Sequence, residues 1–176
     1  MFGGSYNNKK GQIKDFCLLK AGKAIPASEI SKDAETTSYP CYGGNGLRGY
    51  VDHFSHDGNV CLIGRQGALC GNVTLCHGKF YATEHAIIVT IKNQNSINTI
   101  WLYYALNSMN LNQYARGVAQ PGLAVKQIEN LAFNVPSIDK QILFSDIYTQ
   151  ADKSKSSVQL ALRTIKNTYK KYDTNS

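Results

Sequence analysis

Two short glycine-rich elements, Gly43-Gly44-Asn45-Gly46 and Gly64-Arg65-Gln66-Gly67, stand on either side of the apolar run Val60-Cys61-Leu62-Ile63. Glycine allows positive φ and lets one backbone approach another closely. Arg48, Arg65 and Gln66 lie in or beside these turns, with Tyr42 and Asn45 leading into the first. Arginine and glutamine are side chains that pair bidentately with base edges, and arginine does so with phosphates. Arg116, Gln120 and Lys126 flank a third glycine-bearing stretch, Gly117-Val118-Ala119-Gln120-Pro121-Gly122-Leu123. The chemistry these residues suggest is nucleic-acid contact rather than bond breaking. Arg65 lies between two strand-like runs, so it either reads a base or braces the loops around it.

Catalytic patterns are weak by comparison. Gly44-Asn45-Gly46-Leu47-Arg48-Gly49 fits G-x-G-x-x-G, but the following Tyr50-Val51-Asp52-His53-Phe54 does not open a helix, as a dinucleotide fold requires. No phosphate-binding P-loop and no G-x-S-x-G elbow occur. The D-P-P-Y or N-P-P-Y box of adenine methyltransferases is also missing. His53, His56 and Asp57 sit close together in a polar stretch, the ordinary composition of a solvated loop. Glu84-His85 leads into an apolar run and suits a structural or DNA-facing role. The five cysteines, Cys17, Cys41, Cys61, Cys70 and Cys76, are odd in number and contain no C-x-x-C pair. They read as free, mostly buried thiols. A site built from Cys70, Cys76, His77 and His85 fits no standard zinc spacing, so no metal is expected.

The elements that would position these side chains are short strands and turns, then helices. Residues 1–12 are polar and without periodicity, and read as loose. Ile13–Leu19 is a candidate strand or lead-in. Val60–Ile63, Val73–Cys76 and Ala86–Ile91 are β-rich runs bounded by Gly, Asn, His and Asp. A helix is expected from Asn98, as N-cap, to Ala115, with a broad stripe of Ile100, Trp101, Tyr103, Tyr104, Leu106, Met109 and Leu111. That stripe follows helical spacing and reads as core rather than as a base-stacking platform. A short helix over Val125–Asn130 leads into the alternating strand Leu131-Phe133-Val135. Pro136 ends that strand and Ser137 reads as the N-cap of a long helix. Along it runs a heptad register of Phe144, Ile147, Ala151, Ser154, Val158, Ala161, Ile165, Thr168 and Tyr172, in steps of three and four. Such a register implies a seam against another helix.

Several of these pieces, taken in order, carry a resemblance. Lys20-Ala21-Gly22-Lys23-Ala24-Ile25, the Gly43–Gly46 turn, Gly58-Asn59-Val60 through Arg65 and Gly67 to Gly71-Asn72-Val73, the Gly117–Leu123 turn, and Val135-Pro136 followed by Asp139-Lys140-Gln141 resemble the target recognition domain of type I restriction–modification specificity subunits. Lys140 departs from the pattern, which often has Glu there. A second departure is length, since the usual subunit has two recognition domains and two long helices. The resemblance implies an α/β (α+β) fold: a mixed, mostly β target recognition domain with short helices over residues 1–136, then a long coiled-coil-forming helix over residues 137–176. It implies double-stranded DNA as partner, read through Tyr42, Asn45, Arg48, Arg65, Gln66, Arg116, Gln120 and Lys126. It also implies a modification methyltransferase subunit and an ATP-driven restriction subunit as protein partners. Any S-adenosylmethionine would be held by the methyltransferase, so the chain itself needs no cofactor and is no enzyme. With one recognition domain and one long helix, the chain is expected either to be a half-subunit that forms a homodimer through Phe144, Ile147, Ala151, Val158, Ala161, Ile165 and Tyr172, or to be part of a longer subunit.

Composition agrees with that reading without selecting it. The chain has 176 residues and a formal charge of +7, from 19 basic and 12 acidic side chains. That length suits one domain with an appendage and can bury a core. The basic surplus favours a polyanionic partner by attraction and counterion release. The N-terminus has no apolar signal-peptide core and no apolar stretch is long enough to span a bilayer, so a cytoplasmic protein with no membrane contact is expected. The alternative from another class is a dimeric protein-interaction module, its glycine-rich loops mere tight turns and its helix a dimerisation device. A salt-dependent DNA shift separates the two.

Overall fold

The computed structural model describes residues 8–35, 38–67, 69–117 and 121–173, with side chains as far as residue 160. Strand β1 (Lys9–Gln12), a single helical turn α1 (Ile13–Phe16) and strand β2 (Cys17–Ala21) open the described chain. Then come β3 (Tyr39–Gly43), β4 (Gly46–Val51), β5 (His56–Asp57), β6 (Val60–Gly64), β7 (Val73–Cys76), β8 (Lys79–Ala82) and β9 (Ala86–Ile91). Helix α2 (Thr99–Ser108), helix α3 (Val125–Glu129), strand β10 (Ala132–Val135) and the long helix α4 (Ile138–Asp173) complete it. The fold is mixed α/β, a mostly β domain followed by a long helix, as the sequence suggested.

The central sheet has the order β2-β9-β6-β7 and is antiparallel throughout. Its two middle strands are buried on both faces, which is why they read as continuous apolar runs rather than alternating ones. Cys61, Ile63, Ile87 and Val89 face a large core with Trp101, Leu102 and Leu106 of α2. Leu62, Ala86 and Ile88 face the other way, against Phe80 and Ala82 of β8. Strand β8 belongs to the second sheet, ordered β4-β3-β8-β5, in which β3 and β8 run parallel. The two sheets thus share an apolar layer, and the turns at one edge of each come together.

Local chemistry explains the helix boundaries. The Asn98 side chain accepts a hydrogen bond from the Trp101 N–H at 3.0 Å, capping α2 as expected. The helix ends at Ser108, seven residues before the expected Ala115, because Asn110 adopts the left-handed conformation (φ 49°) and starts a 3₁₀ turn, Leu111–Tyr114. Leu111 still reaches the core from that turn. The N-terminal expectation also needs correction. Lys9–Gln12 is a strand, not a loose segment, because it pairs antiparallel with β10, Gly11 opposite Phe133. The candidate strand at Ile13–Leu19 splits into α1 and β2, with Asp15 Oδ2 accepting from the Gln12 N–H at 2.7 Å.

Helix α4 is 36 residues long, about 54 Å at 1.5 Å per residue. Its first turns are fastened to the domain. Gln141 and Ser145 are buried, and Phe144 and Tyr148 pack around Tyr104 of α2. Further along, the side chains turn to solvent: Ile147 is 60% exposed and Val158 59%. The expected seam residues Ala161, Ile165 and Tyr172 lie outside the described side chains.

Candidate nucleic-acid interface

Strand β6 ends at Gly64 and strand β3 at Gly43, and the loops beyond them meet. A Cβ on Gly64 would lie 2.1 Å from the Gly44 carbonyl oxygen, and a Cβ on Gly44 would lie 2.4 Å from that of Gln66. Only glycine allows the two backbones to touch in this way. Gly67 has φ 92°, and Asn45 Oδ1 sits 3.5 Å from where its Cβ would be. The Arg65 N–H donates to the His85 carbonyl at 2.8 Å, and the Arg65 carbonyl accepts from the Leu123 N–H at 2.8 Å. Gln66 and Arg116 both bridge to Gly122, so the third glycine-bearing stretch docks on the second.

These contacts frame an open pocket of about 330 Å³ lined by Gly43, Gly44, Asn45, Gly46, Leu47, Arg48, Gln66, Gly67 and His85. Three expected site residues, Asn45, Arg48 and Gln66, therefore share one concavity. Asn45 and Arg48 are exposed and Gln66 is half-buried. Arg65 is half-buried and its main chain braces the loops, while its side chain is not part of the pocket lining. Arg116 is exposed beside the pocket, tied in through paired hydrogen bonds with Gly122, each 2.9 Å. Lys126 is exposed on α3 and does not line the pocket. Tyr42 does not line the pocket; it is half-buried and packs edge-on to Phe80 at 6.0 Å, and burial pushes its hydroxyl above the ordinary tyrosine value. Gln120 lies outside the described residues.

His85 belongs to the site although the spacing of Glu84-His85 said only that it faces DNA or supports structure. Its Nδ1 is 2.5 Å from Gln66 Oε1 and its Nε2 is 3.0 Å from Glu84 Oε1. Two buried polar atoms just before it in the chain, Thr83 Oγ1 and Glu84 Oε2, have no hydrogen-bond partner among the described residues. Burial raises the Cys41 thiol above its ordinary value, while nearby Arg48 lowers it and nearby Glu84 raises it. Of these two charges only Arg48 lines the pocket. The G-x-G-x-x-G match at 44–49 forms a strand turn and β4, without a helix. His53 bonds Asp52 at 2.6 Å, and His56 bonds Ser55 and stacks on Phe80, so each of these histidines is occupied locally. Among the described residues no group of three or more His, Cys, Asp and Glu is placed to hold a metal ion, and no helix is long and apolar enough to cross a membrane.

Comparison with known proteins matches this arrangement. The type I restriction modification DNA specificity domain model matches residues 6–166. The chain is 47% identical over 151 residues to the type I restriction enzyme EcoprrI specificity subunit of Escherichia coli, covering 85% of this chain and 37% of that protein. A putative type I restriction enzyme specificity subunit of Haemophilus influenzae is 27% identical over 105 residues, 58% of this chain and 27% of its own length. The chain therefore spans about a third of the curated relatives it matches first. Among solved structures, the S subunit of a type I restriction-modification system from M. genitalium superposes with a TM-score of 0.75 at 19% identity, over 87% of this chain and 41% of that one. The HsdS subunit of Thermoanaerobacter tengcongensis gives a TM-score of 0.61 at 15% identity, over 92% and 42%. At those identities the superpositions show a shared fold. The family match and the Escherichia coli relative together show that the chain belongs to the type I restriction–modification specificity subunit family, with one target recognition domain followed by one long helix.

Proposed function

We propose that the chain is a sequence-reading DNA module that carries no chemistry itself and directs a partner adenine methyltransferase, and with it a restriction subunit, to a bipartite target. Residues 1–136 act as reader and residues 137–176 as spacer and dimerisation helix. The observation that carries this reading is the meeting of Gly44 and Gly64. That contact sets Asn45, Arg48 and Gln66 around one open pocket, with Arg116 at its side. The group combines donors and acceptors suited to base edges with cations suited to phosphates. The net charge of +7 adds the long-range attraction that such binding uses.

The exposed stripe of Ile147, Ala151 and Val158 supports the spacer role. Two chains joined through it would hold two identical readers. S-adenosylmethionine would be bound by the methyltransferase, and the adenine would be methylated there. The test is DNA binding followed by fluorescence anisotropy across a salt series. A log–log slope of several released counterions together with a preference among sequences supports the reading. Salt-dependent binding with no preference, or no binding at all, would favour a dimeric interaction module instead.

A further inference from the structure

A strand sends consecutive side chains to opposite faces, so two neighbours are not normally exposed together when one face is covered. Strand β4 departs from this. Its pairing with β3 runs from Tyr39 opposite Val51 to Cys41 opposite Gly49, then shifts so that Tyr42 stands opposite Leu47 and Arg48 is the extra residue. This is a β-bulge, which re-aims the side chains around it. As a result Leu47 and Arg48 are both exposed, Leu47 at 53%. The bulge stands beside the hairpin tip, where Gly43 pairs with Gly46 across the turn Gly44-Asn45. Asn45, Leu47 and Arg48 line the same open pocket, and Leu47 is the only apolar side chain among its described lining residues. It belongs to none of the apolar clusters of the described residues, so half of a leucine is left uncovered in an otherwise polar site. Strand β4 is also the outer strand of its sheet, so the β3–β4 ribbon has a free side.

We propose that the tip of the β3–β4 ribbon enters the major groove and that Leu47 is a specificity-determining residue there, packed on the C5-methyl group of a thymine. This rests on the DNA-reading function proposed above. The major groove admits a two-stranded ribbon. The base pairs present hydrogen-bond donors and acceptors in it, and the thymine methyl is their one apolar group. A leucine laid over any other base edge covers a donor or an acceptor without pairing it, which costs free energy. Laid over the methyl, it removes apolar surface from water on both sides. Leu47 therefore favours thymine and also penalises cytosine, which carries an N4 donor and no methyl. The bulge is what makes this contact possible beside Arg48: in a regular strand one of the two would face away from the site.

The test begins with duplexes selected from a randomised library by the full chain at low salt. Each thymine of the selected duplex is then replaced in turn by deoxyuridine, which removes the C5-methyl group and keeps the base pairing. Wild-type binding should weaken by about four-fold at one position, the effect of one buried methyl group. The salt slope should stay the same, because no phosphate contact is lost. Leu47→Ala should bind the thymine and uracil duplexes alike at that position. Leu18→Ala shortens a comparably exposed leucine on β2, outside the pocket lining, and should keep the four-fold difference. A wild-type chain that tolerates uracil at every position, a selected motif without thymine, or a folded Leu47→Ala chain that still distinguishes thymine from uracil overturns the role of Leu47 alone. A wild-type chain without any sequence preference overturns the reading function on which it rests. The wild-type deoxyuridine series needs no substitution in the protein, so a variant that fails to fold does not remove the test.

Discussion

Gln141 Oε1 accepts a hydrogen bond from the backbone N–H of Asn98 at 2.9 Å, so the first turns of α4 are fastened to the residue that caps α2. The same side chain donates from Nε2 to the carbonyls of Ser96 at 3.0 Å and Pro136 at 2.8 Å. Ser145, one turn on, donates to Asn98 Oδ1 at 2.8 Å. Gln141 is fully buried, and three backbone groups depend on it for a partner. Helix α4 is therefore set firmly on the β-rich domain at its base, although its later described side chains face solvent. Gln141→Leu keeps the bulk and strands one N–H and two C=O groups. It should cost about 2–4 kcal/mol of unfolding free energy. The measurement is the urea midpoint at unchanged m-value. A loss below about 0.5 kcal/mol would mean that the three groups find other partners.

Gly64→Ala should be among the most damaging single-methyl changes in this chain. The added Cβ would meet the Gly44 carbonyl oxygen at 2.1 Å, and neither backbone can yield without moving β3 or β6. A cost of roughly 2–4 kcal/mol is expected, together with loss of DNA binding, because the pocket turns separate. Gly78→Asn is the control. Gly78 has φ 64°, where asparagine is tolerated, and open space where its Cβ would stand. It should change stability by less than about 1 kcal/mol. Thermal unfolding of the two variants in parallel decides the point. Equal losses would mean that the Gly44–Gly64 contact is not what makes Gly64→Ala costly.

Arg48 and Arg65 should behave differently in DNA binding. Arg48 is exposed in the pocket lining, so Arg48→Ala should cost about 1–3 kcal/mol against the preferred duplex and relax preference at one position. Arg65 has its main chain bound at both ends and its side chain outside that lining. Arg65→Ala should weaken all duplexes alike and lower the salt slope by about one. Anisotropy titrations on two duplexes at three salt concentrations separate the patterns, and the reverse assignment would make Arg65 the base reader.

The parts of the fold that were legible in the sequence are those whose neighbours are local or uniformly apolar. Val60–Ile63, Val73–Cys76 and Ala86–Ile91 announce themselves because both faces of the central sheet are covered. Asn98 announces α2 because its cap lies three residues away. Lys9–Gln12 did not, because its only reason to be a strand is β10, more than 120 residues later. The early end of α2 did not, because Asn110 in a left-handed turn outweighs a run of good helical spacing that continues through Leu111. The site divides in the same way. Asn45, Arg48 and Gln66 were marked by the glycines beside them. Their convergence depends on two backbones crossing at Gly44 and Gly64, and no local pattern encodes that contact. His85 enters from the β8–β9 connection for the same long-range reason, and Tyr42 is half-buried because Phe80 offers it a packing partner.

Alkaline pH should destabilise the fold in a defined window. Burial pushes the thiols of Cys17 and Cys76 up to about 12, and raises Cys61 further. In the unfolded chain these thiols ionise near the ordinary thiol value of 9.0. Stability from them is fully present below that value. It falls as pH rises from about 9 toward 12, because the unfolded state gives up protons that the folded state keeps. The slope is about 1.4 kcal/mol per pH unit for each thiol. Urea unfolding at about pH 8 and about pH 10 should show the loss, and Cys17→Ala with Cys76→Ala should reduce it relative to their own starting stability. A flat profile between those values would show that the thiols ionise alike in both states.

The exposed stripe on α4 leads to the last expectation, which concerns the biological target. Ile147 and Val158 are three steps apart in the heptad register and more than half exposed, so most of their apolar area is left uncovered within the described chain. Pairing with a second copy would cover them. Ile147→Asp with Val158→Asp should then raise the dimer dissociation constant at least about a hundred-fold, by burying unpaired carboxylates, while the domain's own unfolding stays within about 1 kcal/mol. Size exclusion with light scattering reads the first effect. If two identical chains do pair antiparallel about a two-fold axis, their readers must see identical half-sites on opposite strands. The target is then an interrupted palindrome whose gap is fixed by the length of the paired helices, and each half-site carries one methylated adenine. Sequencing of methylated adenines in cells that hold the chain and its methyltransferase should return such a motif, and the double variant should erase it. An asymmetric motif would mean that this reader works beside a different one. Methylation unchanged on deletion of the chain would remove the specificity role altogether.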